Sequence, residues 1–208
     1  MRIRILWQAV IFGTATSALL ATAGCNVQVD KGKNGEDKNV KIDTPLGGLH
    51  VRSDQTSAAD LGLPVYPGAQ IAPDHEGDKS ADVHMGFGQW QLRVKVVTYQ
   101  SGDDQKKVLA FYKNALGKFG DVIECDGNKP VGSPAVTSEG LSCHEDGNVH
   151  VNMNNNANGF DDSGLTLRAG SKHHQHILAF KTTGDGTKYS LVELQLPEGL
   201  DDSHAKSD

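Results

Sequence analysis

Only one stretch of this chain repeats its apolar residues at helical spacing; nearly every other patterned stretch alternates in twos. Val108, Phe111, Tyr112, Ala115 and Phe119 fall at i, i+3, i+4, i+7 and i+11, a single stripe along a helix. Ser101 is placed to cap its start, Asp103 and Asp104 to meet the positive end of its dipole, and Gly120 to end it. A chain with one amphipathic helix cannot build a bundle. Its remaining apolar side chains must find their core in a sheet.

The strands follow from alternation. Val40–Asp43 and Leu49–Arg52 predict a small hairpin around the turn residues Thr44 to Gly48. Ala81–Phe87 and Leu92–Tyr99 predict a second, with Gly88, Gln89 and Trp90 near its turn. Within it Leu92, Val94, Val96 and Thr98 share one face, Arg93 and Lys95 the other. After the helix, Asp121–Cys125, Leu141–Cys143, Val149–Met153, Leu165–Arg168, Ile177–Lys181 and Tyr189–Leu196 are short strand candidates, the last two joined by a turn at Thr183–Thr187. The expected fold is α+β: a mainly antiparallel sheet with one principal amphipathic helix packed on it. It occupies residues 61–197, after a hairpin and linker at 39–60, and a polar, disordered tail is expected at 198–208.

The first 24 residues have a different logic. Arg2 and Arg4 precede an apolar run from Ile5 to about Leu20, and small residues then lead to Cys25. Basic start, greasy core and small-residue zone are the order of an export signal. Thr22-Ala23-Gly24-Cys25 resembles the lipobox of bacterial lipoproteins, with Thr22 where that family usually has Leu. The resemblance implies a signal peptide over 1–24, cleavage before Cys25 and lipid on its thiol. Asn26, rather than Asp, then implies sorting to the outer membrane, facing the periplasm. The alternative is an uncleaved anchor helix from Leu6 to Ala23. Residues 25–38, polar and of mixed charge, read as a flexible tether.

Leu63-Pro64-Val65-Tyr66-Pro67-Gly68-Ala69, a strand ending in Tyr99 and the Phe111-Tyr112 pair carry a second likeness. Residues 61–125 resemble a loosely defined group of uncharacterised bacterial secreted proteins with a Pro-x-Tyr-Pro-Gly-Ala opening and a Phe-Tyr helix. That resemblance implies a shared domain and brings no activity or catalytic residue with it.

Charge narrows the partners. Removing Arg2 and Arg4 takes the formal net charge of −6 to −8, which repels phosphate backbones and anionic lipid headgroups. Nucleic acid is therefore not an expected partner, and membrane attachment has to come from lipid on Cys25. Cys25 accounts for the odd cysteine; Cys125 and Cys143 are left to form a structural disulfide in an oxidising envelope.

Candidate chemistry is sparse. His173, His174 and His176 form the densest histidine group; on a turn His173 and His176 would share a side, and on a strand His174 and His176 would point the same way. They are the metal candidates, with His144 or His150 as further ligands, against a default of an exposed polar loop entering a strand. Asn154 to Gly159 begins like an EF-hand loop but has Leu165 where the bidentate Glu is needed. His144-Glu145 lacks the second zinc-protease histidine, and Ser203 to Lys206 matches S-x-x-K only by letter. Tyr66, Phe87 and Trp90 are candidates to line a ligand groove, ordinary packing being the default. No residue is assigned a catalytic role and no cofactor is expected. The functional expectation is a lipid-anchored envelope protein with a non-enzymatic binding or interaction domain, its protein or small-molecule ligand unidentified; a metal-binding protein or a motif-less periplasmic hydrolase is the alternative.

Overall fold

The computed structural model describes residues 25–31, 37–72, 79–143, 164–181 and 186–197. The leader, the tail, Val149–Met153, the Asn154 loop, His144, His150 and most of the Thr183–Thr187 turn lie outside the described residues. The strands are β1 (Asn26–Lys31), β2 (Asp37–Thr44), β3 (Gly47–Ser53), β4 (Gln70–Ile71), β5 (Ser80–Phe87) and β6 (Trp90–Ser101). After helix α1 (Gln105–Leu116) come β7 (Ile123–Asp126), β8 (Lys129–Pro130), β9 (Leu165–Ser171), β10 (His174–Lys181) and β11 (Thr187–Gln195).

All of them join one antiparallel sheet in the order β1-β2-β3-β5-β6-β11-β10-β9-β7-β8, with β4 paired to β6. The α+β expectation therefore holds: one helix lies on an antiparallel sheet. After β6 the chain crosses by way of α1 and returns at β7, beyond β11, β10 and β9, which places the helix over β9 and β10. The β9–β10 turn is tight. Gly170 sits at φ 104°, and a Cβ there would run into the carbonyl oxygen of His174.

The helix begins later than its sequence suggests. Asp104, not Ser101, is the N-cap; its carboxylate accepts from the Lys107 N–H at 3.0 Å. Ser101 cannot take that role because its backbone is held extended as the last residue of β6, opposite Thr187. Its hydroxyl accepts instead from the Asp103 N–H at 3.1 Å. Val108, Tyr112 and Leu116 form the buried line of α1, with Phe111 and Ala115 half-buried beside it. A 3₁₀ turn over Gly117–Phe119 follows before Gly120, at φ 127°, turns the chain toward β7.

Under α1 lie Val97 and Tyr99 of β6, Tyr189 and Leu191 of β11, Leu178 and Phe180 of β10, and Leu167 and Ala169 of β9. The segment entering the domain seals this core through main-chain polar groups. Tyr112 accepts from the Tyr66 N–H at 3.2 Å and donates to the Pro64 carbonyl at 3.1 Å, while the Tyr66 and Phe111 rings meet edge-on at 5.1 Å. The Pro-x-Tyr-Pro-Gly-Ala and Phe-Tyr motifs thus touch each other in space. Tyr99 similarly accepts from the Ala58 N–H at 3.3 Å.

Two stretches that read as connectors from composition are structured. Asn26–Lys31 pairs with β2 as the edge strand β1, all six residues exposed. Between β3 and the domain opening, Ala58–Leu61 forms a 3₁₀ turn that buries Ala58 and Leu61 in the main core. The Asp60 carboxylate anchors it by accepting from the Ser57 N–H and hydroxyl at 2.9 and 2.6 Å. The β2–β3 hairpin, through β3 and β5, is continuous with the main sheet. At the opposite edge the Cys125–Cys143 disulfide is formed, with Cα atoms 5.6 Å apart, and Ile123 and Leu141 complete a small buried cluster around it.

Candidate functional site

Because paired residues in an antiparallel ladder point the same way, the register sorts every side chain to one face of the sheet. One row runs Arg52, Asp82, Lys95, Glu193, His176 and Ala169; the next runs Lys41, His50, His84, Arg93, Gln195 and His174. Both lie on the helix side, since Val97 and Tyr99 share the parity of Arg93 and Lys95 on β6. The helix face is therefore apolar beneath α1 and charged beyond it.

The charges are paired. Asp82 accepts from Arg93 at 2.9 and 3.2 Å and from Arg52 at 3.1 Å. Burial pushes the Asp82 carboxyl upward, but the hydrogen bonds from Arg93 and the charges of Arg93 and Arg52 outweigh it and leave it below the ordinary range. Glu193 bridges Lys95 at 2.7 Å and His174 at 3.0 Å. Its own burial is likewise outweighed by these two donors, so it also stays ionised below the usual carboxylate range. Lys95 further donates to the Asp60 carbonyl at 2.8 Å, tying the ladder to the 3₁₀ turn.

The three candidate metal histidines part company here. His174 and His176 do share a face, with ring centroids 5.0 Å apart, as strand geometry requires. His174 is spent on Glu193, however, and His176 is only 5% exposed, stacked flat on Phe119 at 3.5 Å. Burial, with the neighbouring His174 charge, pushes His176 down to about 4. His173 lies in the β9–β10 turn, with Nδ1 3.3 Å from the Pro197 carbonyl. Among the described residues no three His, Cys, Asp or Glu side chains converge as a metal site.

The proposed aromatic groove is not assembled either. Tyr66 is buried on the helix face and donates to Asp103 at 2.9 Å. Phe87 and Trp90 flank the β5–β6 turn on the other face, their rings 6.0 Å apart. Nothing local in the sequence distinguishes these positions; the crossover of α1 decides which face is covered.

That other face is the least expected feature. Its rows read Val27, Ile42, Leu49, Met85 and Leu92, then Val29, Val40, Val51, Val83, Val94 and Leu194, then Ala81, Val96, Val192 and Ile177. The first two rows carry no charged residue as far as Leu92 and Leu194, whereas the third continues from Ile177 to Arg168 and Ile123. Val192 is buried at 7% exposure and its row runs on to Ile123 of the disulfide cluster, while the β1–β6 part of the face lies opposite α1 and outside both buried clusters. Val27 and Val29, on the edge strand, are 58% and 41% exposed.

A polar cleft of about 570 Å³ opens where α1 begins, among Asp103, Asp104, Asp126, Lys181 and Thr187. Asp104 is occupied as the helix cap, and Asp103 accepts from Tyr66 and from Lys107 at 2.8 Å. These carboxylates serve the fold. Among the described residues no helix is long and apolar enough to cross a membrane. Comparison with known proteins finds no family model, no curated protein and no solved structure that matches the chain.

Proposed function

We propose that this is a lipid-anchored protein of the bacterial cell envelope, held by acyl chains on Cys25 at the periplasmic face of the outer membrane, whose sheet is a non-enzymatic binding scaffold. One observation carries the reading. Thr22-Ala23-Gly24-Cys25 closes an export-like leader, and Cys25 is an exposed free thiol while the other two cysteines are bonded to each other. The disulfide suits an oxidising compartment. The buried charges of the sheet support the scaffold reading, since Asp82 and Glu193 are neutralised by fixed partners and held away from reaction.

Mass spectrometry of protein extracted from membranes tests it. The expected result is an amino terminus at Cys25 bearing a diacylglyceryl thioether, and release to the soluble fraction on Cys25→Ser. An amino terminus at Met1 with an unmodified Cys25 thiol would end the proposal.

A further inference from the structure

We propose that the apolar face of β1, β2, β3, β5 and β6, which lies opposite α1, docks on the acyl region of a lipid bilayer, with Leu46, Phe87 and Trp90 immersed beside the anchored cysteine. This deepens the reading of Cys25 as the acylated residue and rests on it.

The register supplies the geometry. Asn26 pairs with Asp43, so Cys25 stands at the end of the sheet where Thr44, Gly47, Phe87 and Trp90 follow one another across β2, β3, β5 and β6. The β2–β3 turn presents Leu46 at that same end, 83% exposed, and Phe87 is 50% exposed. Strand β1 starts at Asn26, the residue after the cysteine, so no linker separates acyl chains on Cys25 from the sheet. Lipid on that sulfur would hold this end within a few residues of the bilayer.

Chemistry supplies the occupant. The rows from Val27 to Leu92 and from Val29 to Val94 are Val, Ile, Leu and Met side chains without a charge, whereas the opposite face carries Lys41, Asp43, His50, Arg52, Asp82 and Arg93. One side of the sheet is thus made for hydrocarbon and the other for water, the division found in interfacial amphipathic elements. Trp, Phe and Leu are the residue types that interfacial elements bury at the boundary between headgroups and acyl chains. A net negative protein gains nothing from anionic headgroups, so the apolar contact has to carry the docking.

The test uses the full chain in a Trp7→Phe background, which leaves Trp90 as the sole tryptophan. Protein extracted from membranes is reconstituted in phosphatidylethanolamine and phosphatidylglycerol vesicles containing lipid spin-labelled near the top of the acyl chain. Trp90 emission is expected to fall at least about twofold relative to unlabelled vesicles, and Leu46→Glu/Phe87→Glu to abolish that fall with the Cys125–Cys143 disulfide intact. Mass spectrometry reads the state of Cys25 separately. Acylated Cys25 with unquenched Trp90 overturns the docking and leaves the anchor standing. If Cys25 is unmodified, the anchor reading fails, and quenching of Cys25→Ser protein mixed with excess vesicles decides the docking by itself. A stoichiometric dimer that Leu46→Glu/Phe87→Glu dissociates, with Trp90 unquenched, assigns the face to a second copy and overturns the proposal.

Discussion

His176 is the residue whose chemistry is most altered by its place in the fold. Its imidazole lies between Phe119 and the rest of β10, and burial holds it neutral down to about pH 4. In the unfolded chain it takes up a proton near its ordinary value of 6.5. Between those two values the unfolded state binds more protons, so stability falls as the pH drops, by about 1.4 kcal/mol per pH unit at the steepest. Urea unfolding should therefore show about 2 kcal/mol less stability at pH 5 than at pH 7, and His176→Phe should flatten that dependence. An unchanged slope in the variant would place the pH response elsewhere. Asp82 and Glu193 act in a lower window: their depressed carboxyls contribute stability above the ordinary carboxylate range, and it is lost as the pH falls through their lowered values. The Lys95–Glu193 pair is 13% and 9% exposed, so Glu193→Leu strands a nearly buried ammonium. A loss of about 2–4 kcal/mol is expected, and Lys95→Met in the same chain should recover most of it. Equal losses in the single and double variants would mean that the carboxylate matters for packing and not for pairing.

At the scale of elements, the helix depends on its cap and the far edge on its cross-link. Asp104→Ala removes the acceptor for the Lys107 N–H and should cost about 1 kcal/mol, read as a lower urea midpoint with an unchanged slope. Asp104→Ser, which keeps an acceptor, should lose far less. The Cys125–Cys143 bond restrains β7, β8 and the loop after them at the edge of the sheet. Its replacement by serines should lower stability by about 3 kcal/mol through the freedom returned to the unfolded chain. Thermal unfolding of the oxidised protein and the Cys125→Ser/Cys143→Ser variant checks this. The element least visible in advance is β1. Two valines alternating with polar residues over Asn26–Lys31 look no different from a tether, and only the backbone of β2 turns them into a strand.

Across the whole molecule, stability should fall from the centre of the sheet toward its β1 edge. The central strands β6, β11 and β10 are paired on both sides and β10 is roofed by α1, whereas β1 has one neighbour and no cover among the described residues. Amide hydrogen exchange should accordingly be slowest in β6, β10 and β11 and fastest in β1, with β2 and β3 between. Uniform protection would show that the N-terminal strands unfold only with the rest. How much of this was legible beforehand differs by feature. The single helix, the two hairpins, β9 to β11 and the Cys125–Cys143 pair follow from spacing and cysteine count alone, because periodicity and parity are local properties. Alternation likewise divides β6 into an Arg93–Lys95 face and a Leu92–Val94–Val96 face. What it leaves open is which of the two is covered, since Val97 and Tyr99, further along the charged face, are the residues that meet α1. That choice belongs to the crossover from β6 to β7, a contact between segments far apart in the chain. It buries His176, separates Tyr66 from Phe87 and Trp90, and leaves an apolar sheet face beside Cys25. Pattern along the chain determined the helix and the main hairpins; only the three-dimensional path made a strand of Asn26–Lys31 and decided which faces see water, because burial and pairing depend on what folds back over a residue and not on its neighbours in sequence.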